Sequence, residues 1–168
     1  MTQRLVVIGA GMASGRLLEQ LFEAGYQGQV TLINAEPRGN YNRLMLSPVL
    51  SGEKTYEQIV THDADWYAAH GVDCRFGEAV VRIDRAARVV HSNKSSVGYD
   101  ALVIATGSAP FIIPVAGKDL PGVVAYRDLE DTQAMMATEG KDAVVIGGGL
   151  LGLEAAAGMA ARGARVTV

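Results

Sequence analysis

Two short glycine runs are the residues best suited to chemistry in this chain of 168 residues. The first reads Gly9-x-Gly11-x-x-Ser14 with Gly15 directly after it, and the second reads Gly147-Gly148-Gly149-Leu150-Leu151-Gly152. Each follows a short apolar run and opens a stretch with helical spacing. A glycine in the first position permits a tight turn out of a strand. A glycine in the second lets a diphosphate reach the backbone without meeting a Cβ, and a small third residue lets helix and strand close on one another. Main-chain NH groups at the helix start then face the anion, supported by the helix dipole. The chemistry on offer is the holding of a dinucleotide. Glu36 lies about twenty residues past the first turn, where a carboxylate can accept hydrogen bonds from a ribose diol. Ser14 is small, yet it departs from the usual Gly or Ala.

The elements that must position these residues follow from periodicity. Residues 5–8 are continuously apolar, as in a strand covered on both faces. Leu17, Leu18, Leu21 and Phe22 recur at helical spacing within 12–24, and Gly25 sits where that helix ends. Residues 29–36 read as a second strand, so the three pieces form a βαβ unit with parallel strands. Residues 37–51 mix polar, aromatic and apolar types and read as a loop. A short helix is expected over 63–70, closed by Gly71, then a strand over 72–76. Residues 79–92 suggest two antiparallel strands, with 92–98 as a turn between strands. Residues 99–107 read as a buried strand ending in glycine. The stretch 108–122 carries three of the five prolines and reads as a linker. A short strand near Val123, a helix over 129–139 and the second glycine phrase follow. The helix expected over 150–161 is rich in small residues, which suits close packing.

Composition narrows the class. The net charge of −3 argues against nucleic acid as a partner. Cys74 is the single cysteine, so the chain has no internal disulfide, CxxC pair or cysteine metal site. It is expected to be a small buried residue. His62, His70 and His91 lack ligand-like spacing and are expected to be surface or locally bonded imidazoles. No run of about twenty apolar residues occurs, so no membrane span is expected. The apolar run before Gly9 is too short for a signal peptide, and the reading is a cytoplasmic, reducing location.

Two dinucleotide phrases, Ala105-Thr106-Gly107 after a strand, and "GGGLLGLEAA" together resemble the FAD- and NAD(P)-dependent pyridine nucleotide reductases. Within that group, "YNRLMLSPVLSGE", residues 41–53, is similar to the flavin-contacting loop of NAD(P)H nitrite reductase large subunits. The resemblance implies an α/β fold. A Rossmann-like FAD-binding βαβ unit with an antiparallel β insertion would occupy residues 1–115, and the start of a second, NAD(P)-binding unit residues 116–168. It implies FAD diphosphate at Gly9, Gly11, Met12 and Ser14, with the FAD ribose at Glu36. Arg43 would contact the flavin nucleotide, the backbone at Ala79 and Val80 the adenine, and Ala105, Thr106 and Gly107 would close over the cofactor. Gly147, Gly149 and Gly152 would hold NAD(P)H, and Glu154 would approach the flavin ring from the nicotinamide side. A charge on that apolar helix calls for a polar partner. Tyr41 and Met45 are expected to pack.

The implied activity is hydride transfer from NAD(P)H to FAD, feeding electrons to a downstream acceptor domain or protein. Sirohaem and iron–sulfur clusters of nitrite reductases need cysteine sets that this chain lacks. The expectation is therefore the front part of a larger reductase, with an exposed strand edge at Val168 that favours homo-oligomers. The residue that distinguishes NAD from NADP would lie past Val168. Rubredoxin- and ferredoxin-type reductases remain an alternative, although the lysine that often follows "LS" in that group is Pro48 here. Disulfide reductases need a cysteine near the flavin loop, where this chain has Asn42 and Arg43. A non-catalytic nucleotide sensor is the alternative from another class.

Overall fold

In a computed structural model, which describes residues 3–168, the elements follow in chain order. They are β1 (Arg4–Ile8), α1 (Met12–Glu23), β2 (Gln29–Asn34), a 3-10 turn (Arg43–Met45), α2 (Leu46–Ser51), a second 3-10 turn (Glu57–Ile59) and α3 (Ala64–Ala69). Then come β3 (Val72–Phe76), β4 (Val80–Asp84), β5 (Val89–Ser92), β6 (Ser96–Gly98), β7 (Ala101–Ile104), α4 (Leu129–Met136), β8 (Asp142–Val144), α5 (Leu150–Ala161) and β9 (Arg165–Thr167). The chain gathers into two compact units. One runs up to Asn42 and resumes over Val60–Gly107, and the other joins Arg43–Ile59 to Ser108–Val168.

In the first unit β3, β2, β1 and β7 form, in that order, a four-stranded sheet whose pairs are all parallel. The continuous apolar run of β1 is explained by cover on both faces. Leu5 and Val7 pack with Leu18 of α1 and Tyr67 of α3, while Val6 and Ile8 pack with Ile33, Val90 and Tyr99. Fully burying each such side chain stabilises by roughly 1.5–3 kcal/mol. Asp63 caps α3 by accepting from the Trp66 NH at 2.8 Å. The structure departs from the sequence reading at two points of this unit. Residues 92–98 are not only a turn, because Ser96–Gly98 pairs antiparallel with β5 and makes the insertion three-stranded. The expected buried strand, β7, is only partly buried: among the described residues it pairs with β1 alone, and Ile104 is exposed.

An ion pair sets β7 against β1. Arg4 donates from its backbone NH to Asp100 Oδ2 at 2.8 Å and from its guanidinium to Oδ1 at 3.1 Å. The Arg4 side chain is thereby the main cause that holds the Asp100 carboxyl down to about 2. A folded-state value below the unfolded one, about 3.9, means the contribution is complete above about pH 4 and vanishes as pH falls through about 2. Asp100→Asn is expected to flatten the acid limb of stability between about pH 4 and 2, measured by urea unfolding at each pH. An unchanged limb would show that other carboxylates govern it.

In the second unit β8 and β9 form a parallel pair, and Leu50, Met135, Ala155, Met159 and Ala164 make the core. The segment read as a loop, 37–51, contains the helix α2. Six residues are too few to show a 3.6-residue period, and Pro48 masks the pattern. Proline is tolerated in a first turn, whose NH groups have no intrahelical acceptor. Burial of Leu46, Val49 and Leu50 then supplies what local propensity does not. The small residues of α5 allow the approach: a Cβ at Gly158 would lie 2.8 Å from Leu50 Cγ. Among the described residues no strand forms near Val123. No described helix is long and apolar enough to cross a membrane.

Candidate functional site

The first glycine turn leaves the carboxyl end of β1 with a strand on either side. Gly9 NH donates to Ile33 O and Ala105 NH to Ile8 O, both at 2.8 Å. From β1 the chain moves outward through β2 and β3, then returns to the opposite side of β1 as β7. That reversal is the switch point where open parallel sheets accept ligands beyond their strand ends.

The glycines of this turn are there for different reasons. Gly9 has φ +99°, and a Cβ on it would lie 2.4 Å from Ala105 O. The backbone itself therefore demands glycine. Gly11 has φ −92°, which any residue adopts, and a Cβ there would meet nothing within 4 Å. Internal packing gives no reason for Gly11, so its bare backbone faces open space. Bare backbone at a helix start is the kind of cradle that suits a diphosphate, and a side chain would fill it. Met12 follows as the first residue of α1 and is partly exposed.

Ser14 is fully buried and its Oγ donates to Gly11 O at 2.9 Å. The next residue, Gly15, is closely covered: a Cβ there would lie 3.0 Å from His62 Cε1 and 3.2 Å from Asn40 Nδ2. His62 is neither on the surface nor bonded only locally: it is buried and pairs at 3.0 Å with Glu19, 43 residues away in sequence, because folding brings the segment before α3 against α1. At the end of β2, Glu36 accepts from the buried Tyr41 OH at 2.9 Å and faces Arg38 at 3.9 Å. Glu78 NH donates to Asn34 O, which brings Ala79 and Val80 next to the end of that strand. Ala79 NH itself donates to Asn93 Oδ1 at 3.1 Å. Thr106 and Gly107 continue from Ala105, and Gly107 has φ +73°. Cys74 is part-buried; burial pushes its thiol up to about 11, so it is no nucleophile near neutral pH.

The second glycine turn follows β8, where Val145 NH donates to Thr167 O at 2.8 Å. Gly147 has φ +127°, and added Cβ atoms at Gly147, Gly148 or Gly149 would meet nothing within 4 Å. At Gly152 a Cβ would lie 1.9 Å from Gly147 O, so helix and turn touch there. Gly149 is the N-cap of α5. Glu154, on the next turn of that helix, accepts from Ser47 Oγ at 2.6 Å, the polar partner its charge requires. Ser47 in turn accepts from Tyr126 OH at 3.0 Å, and burial raises the Tyr126 phenol, which keeps it a donor. Arg43 donates to Arg127 O at 3.1 Å.

Three residues around the first turn escape sequence reasoning: Asn34, Asn40 and Tyr67. Ala10 NH donates to Asn34 Oδ1 at 3.3 Å, and Asn40 Nδ2 donates to Gly11 O at 2.6 Å. Neutral amides carry no periodic or motif signal; only the polar interruption at the end of β2 hints at Asn34.

Known proteins resemble this chain in sequence and in fold. The chain is 42% identical over 170 residues to the nitrite reductase [NAD(P)H] of Bacillus subtilis, covering 99% of this chain and 21% of that protein. It is equally 42% identical to the assimilatory nitrate reductase electron transfer subunit of the same organism, covering 99% and 22%. Its fold superposes on the ferredoxin reductase for the CYP199A2 system of Rhodopseudomonas palustris with a TM-score of 0.86 at 28% identity, over 98% of this chain and 42% of that one. The chain thus spans about a fifth of the length of the two Bacillus subtilis relatives. Residues 3–168 match the family described as pyridine nucleotide-disulphide oxidoreductase. The chain belongs to the pyridine nucleotide-disulphide oxidoreductase family.

Proposed function

We propose that this chain is the FAD- and NAD(P)H-binding part of an oxidoreductase of the nitrite reductase type. In this reading residues 1–115 belong to the FAD-binding domain and 116–168 to the NAD(P)-binding domain. Gly9, Gly11, Met12 and Ser14 hold the FAD diphosphate, and Glu36, kept in place by Tyr41, binds its ribose. Ala79 and Val80 receive the adenine, while Arg43, Ala105, Thr106 and Gly107 complete the flavin site. Gly147, Gly149 and Gly152 hold the pyridine nucleotide, with Glu154 on the helix that follows. FAD, when bound, supplies the redox chemistry, taking hydride from NAD(P)H and releasing electrons to an acceptor. The protein supplies binding and orientation, in a cytoplasmic setting.

The observation that carries this reading is Gly11, a glycine that neither φ nor packing requires. Its absent side chain makes sense as room for a ligand. Gly11→Ala is accordingly expected to melt within a few degrees of the wild type while losing FAD affinity at least tenfold, measured by flavin fluorescence titration. In the full-length protein the flavin band near ~450 nm should bleach on adding NADH or NADPH. Nucleotide binding without bleaching would favour the sensor reading.

The identity to the nitrite reductase and to the electron transfer subunit favours a nitrite- or nitrate-assimilating acceptor chain. The superposition on a ferredoxin reductase favours a second reading, a reductase of small iron–sulfur proteins. Rapid reoxidation of the bleached flavin by an added ferredoxin selects the second; indifference to ferredoxin selects the first.

A further inference from the structure

We infer that Asn40 is a positioning residue for the first glycine turn, fixing the Gly11 carbonyl so that the NH groups opening α1 face outward. The inference rests on the reading of that turn as the FAD diphosphate site.

Asn40 lies in the segment after β2, far in sequence from the turn, and is fully buried. Its side chain spans two partners. Nδ2 donates to Gly11 O at 2.6 Å and approaches Ser14 Oγ at 3.3 Å, while Oδ1 accepts from Tyr67 OH at 2.5 Å. The orientation of the amide is unambiguous, because a carbonyl oxygen can only accept, so nitrogen must face Gly11. The Asn40 backbone is engaged as well: its NH donates to Tyr67 Oη at 2.9 Å and its carbonyl accepts from Thr61 NH at 3.0 Å. Bonds from both ends of the amide and from both backbone groups leave the side chain a single position.

The consequence for the turn follows from peptide geometry. In a trans peptide the C=O and the next N–H point to opposite edges of one plane. Gly11 O also accepts from the Gly15 NH at 3.0 Å and from Ser14 Oγ at 2.9 Å, and Asn40 makes the shortest of the three bonds. A carbonyl held on this side turns the Met12 N–H the other way, out of the turn. Two peptides earlier, between Gly9 and Ala10, Asn34 Oδ1 takes the Ala10 NH, and Asn34 Nδ2 donates to Arg38 O at 2.8 Å. Two neutral amides thus occupy an inward NH and an inward carbonyl of the turn and place no charge behind the site. A carboxylate at either position would repel a diphosphate held on the other side. Preorganised donors of this kind lower the ordering cost of binding an anion.

The test compares Asn40→Asp and Tyr67→Phe with the wild type in the full-length protein, freed of cofactor and titrated with FAD and, separately, NADH. Asn40→Asp keeps the shape but sets an acceptor and a charge against Gly11 O. Tyr67→Phe leaves the amide and removes its anchor. The expected result is FAD affinity at least tenfold weaker for Asn40→Asp and about threefold weaker for Tyr67→Phe. NADH affinity should stay within twofold, and the 31P resonances of bound FAD should shift while its visible absorption keeps its shape. FAD affinity within twofold of wild type in both variants overturns the inference, as does an equal loss of FAD and NADH binding, which marks a merely structural role. If Asn40→Asp does not fold, Tyr67→Phe decides alone by the same criteria. A wild-type protein that binds no FAD overturns the functional reading itself, and the inference with it.

Discussion

Gly152→Ala is expected to destabilise the second unit, although it replaces glycine by the strongest helix former. In a helix interior that exchange alone favours folding by about 1 kcal/mol. Here the new methyl would sit 1.9 Å from Gly147 O and 3.1 Å from Gly147 C, with Val145 Cγ1 at 3.4 Å. The first two atoms are backbone and cannot rotate aside. Relief requires α5 to lift off the turn, and overpacking of this kind costs roughly 1–3 kcal/mol, occasionally more. We expect a net loss of about 2 kcal/mol in urea unfolding, together with at least tenfold weaker NADH binding. Gly148→Ala is the control for stability, since its Cβ would meet nothing within 4 Å and its φ is not positive. A Gly152→Ala protein more stable than wild type would mean that helix and turn are not in contact as described.

Gly9→Ala should have a comparable effect for a different pair of reasons. At φ +99° an L-residue is strained by about 1–3 kcal/mol, before any contact is counted. The methyl would also lie 2.4 Å from Ala105 O and 2.8 Å from Ala105 C, wedging the turn against the residue that extends β7. Together these should cost about 3 kcal/mol or more and lower the melting temperature by on the order of 10 °C. FAD affinity should fall with it. Comparison with Gly11→Ala separates the two kinds of glycine: one required by the chain, the other left bare at no cost to the fold.

That separation marks how far the sequence reaches. The phrases around Gly9 and Gly147 were legible because strand, turn and helix are local, with periods of two and 3.6 residues readable in short windows. So were the parallel pairing of β1 with β2 and the span of α5. The role of each glycine was not legible, since Ala105 O lies near Gly9 only after β7 has paired with β1. The departure at Ser14 looked like a weakness of the motif. In the folded chain its hydroxyl donates to Gly11 O, and the side chains of His62 and Asn40 close on Gly15 beside it.

The sequence by itself determined the βαβ unit, the antiparallel insertion and the positions of the glycine turns, because apolar periodicity and backbone permissiveness are properties of neighbours in the chain. Only the tertiary structure decided that 46–51 is helical, that Ile104 of β7 is exposed, that Ser47 answers Glu154, and that Asn40 and Tyr67 stand behind the turn. Those outcomes depend on distances between residues far apart in sequence. A buried amide or hydroxyl finds its partner only when the sheet order has set what lies opposite it.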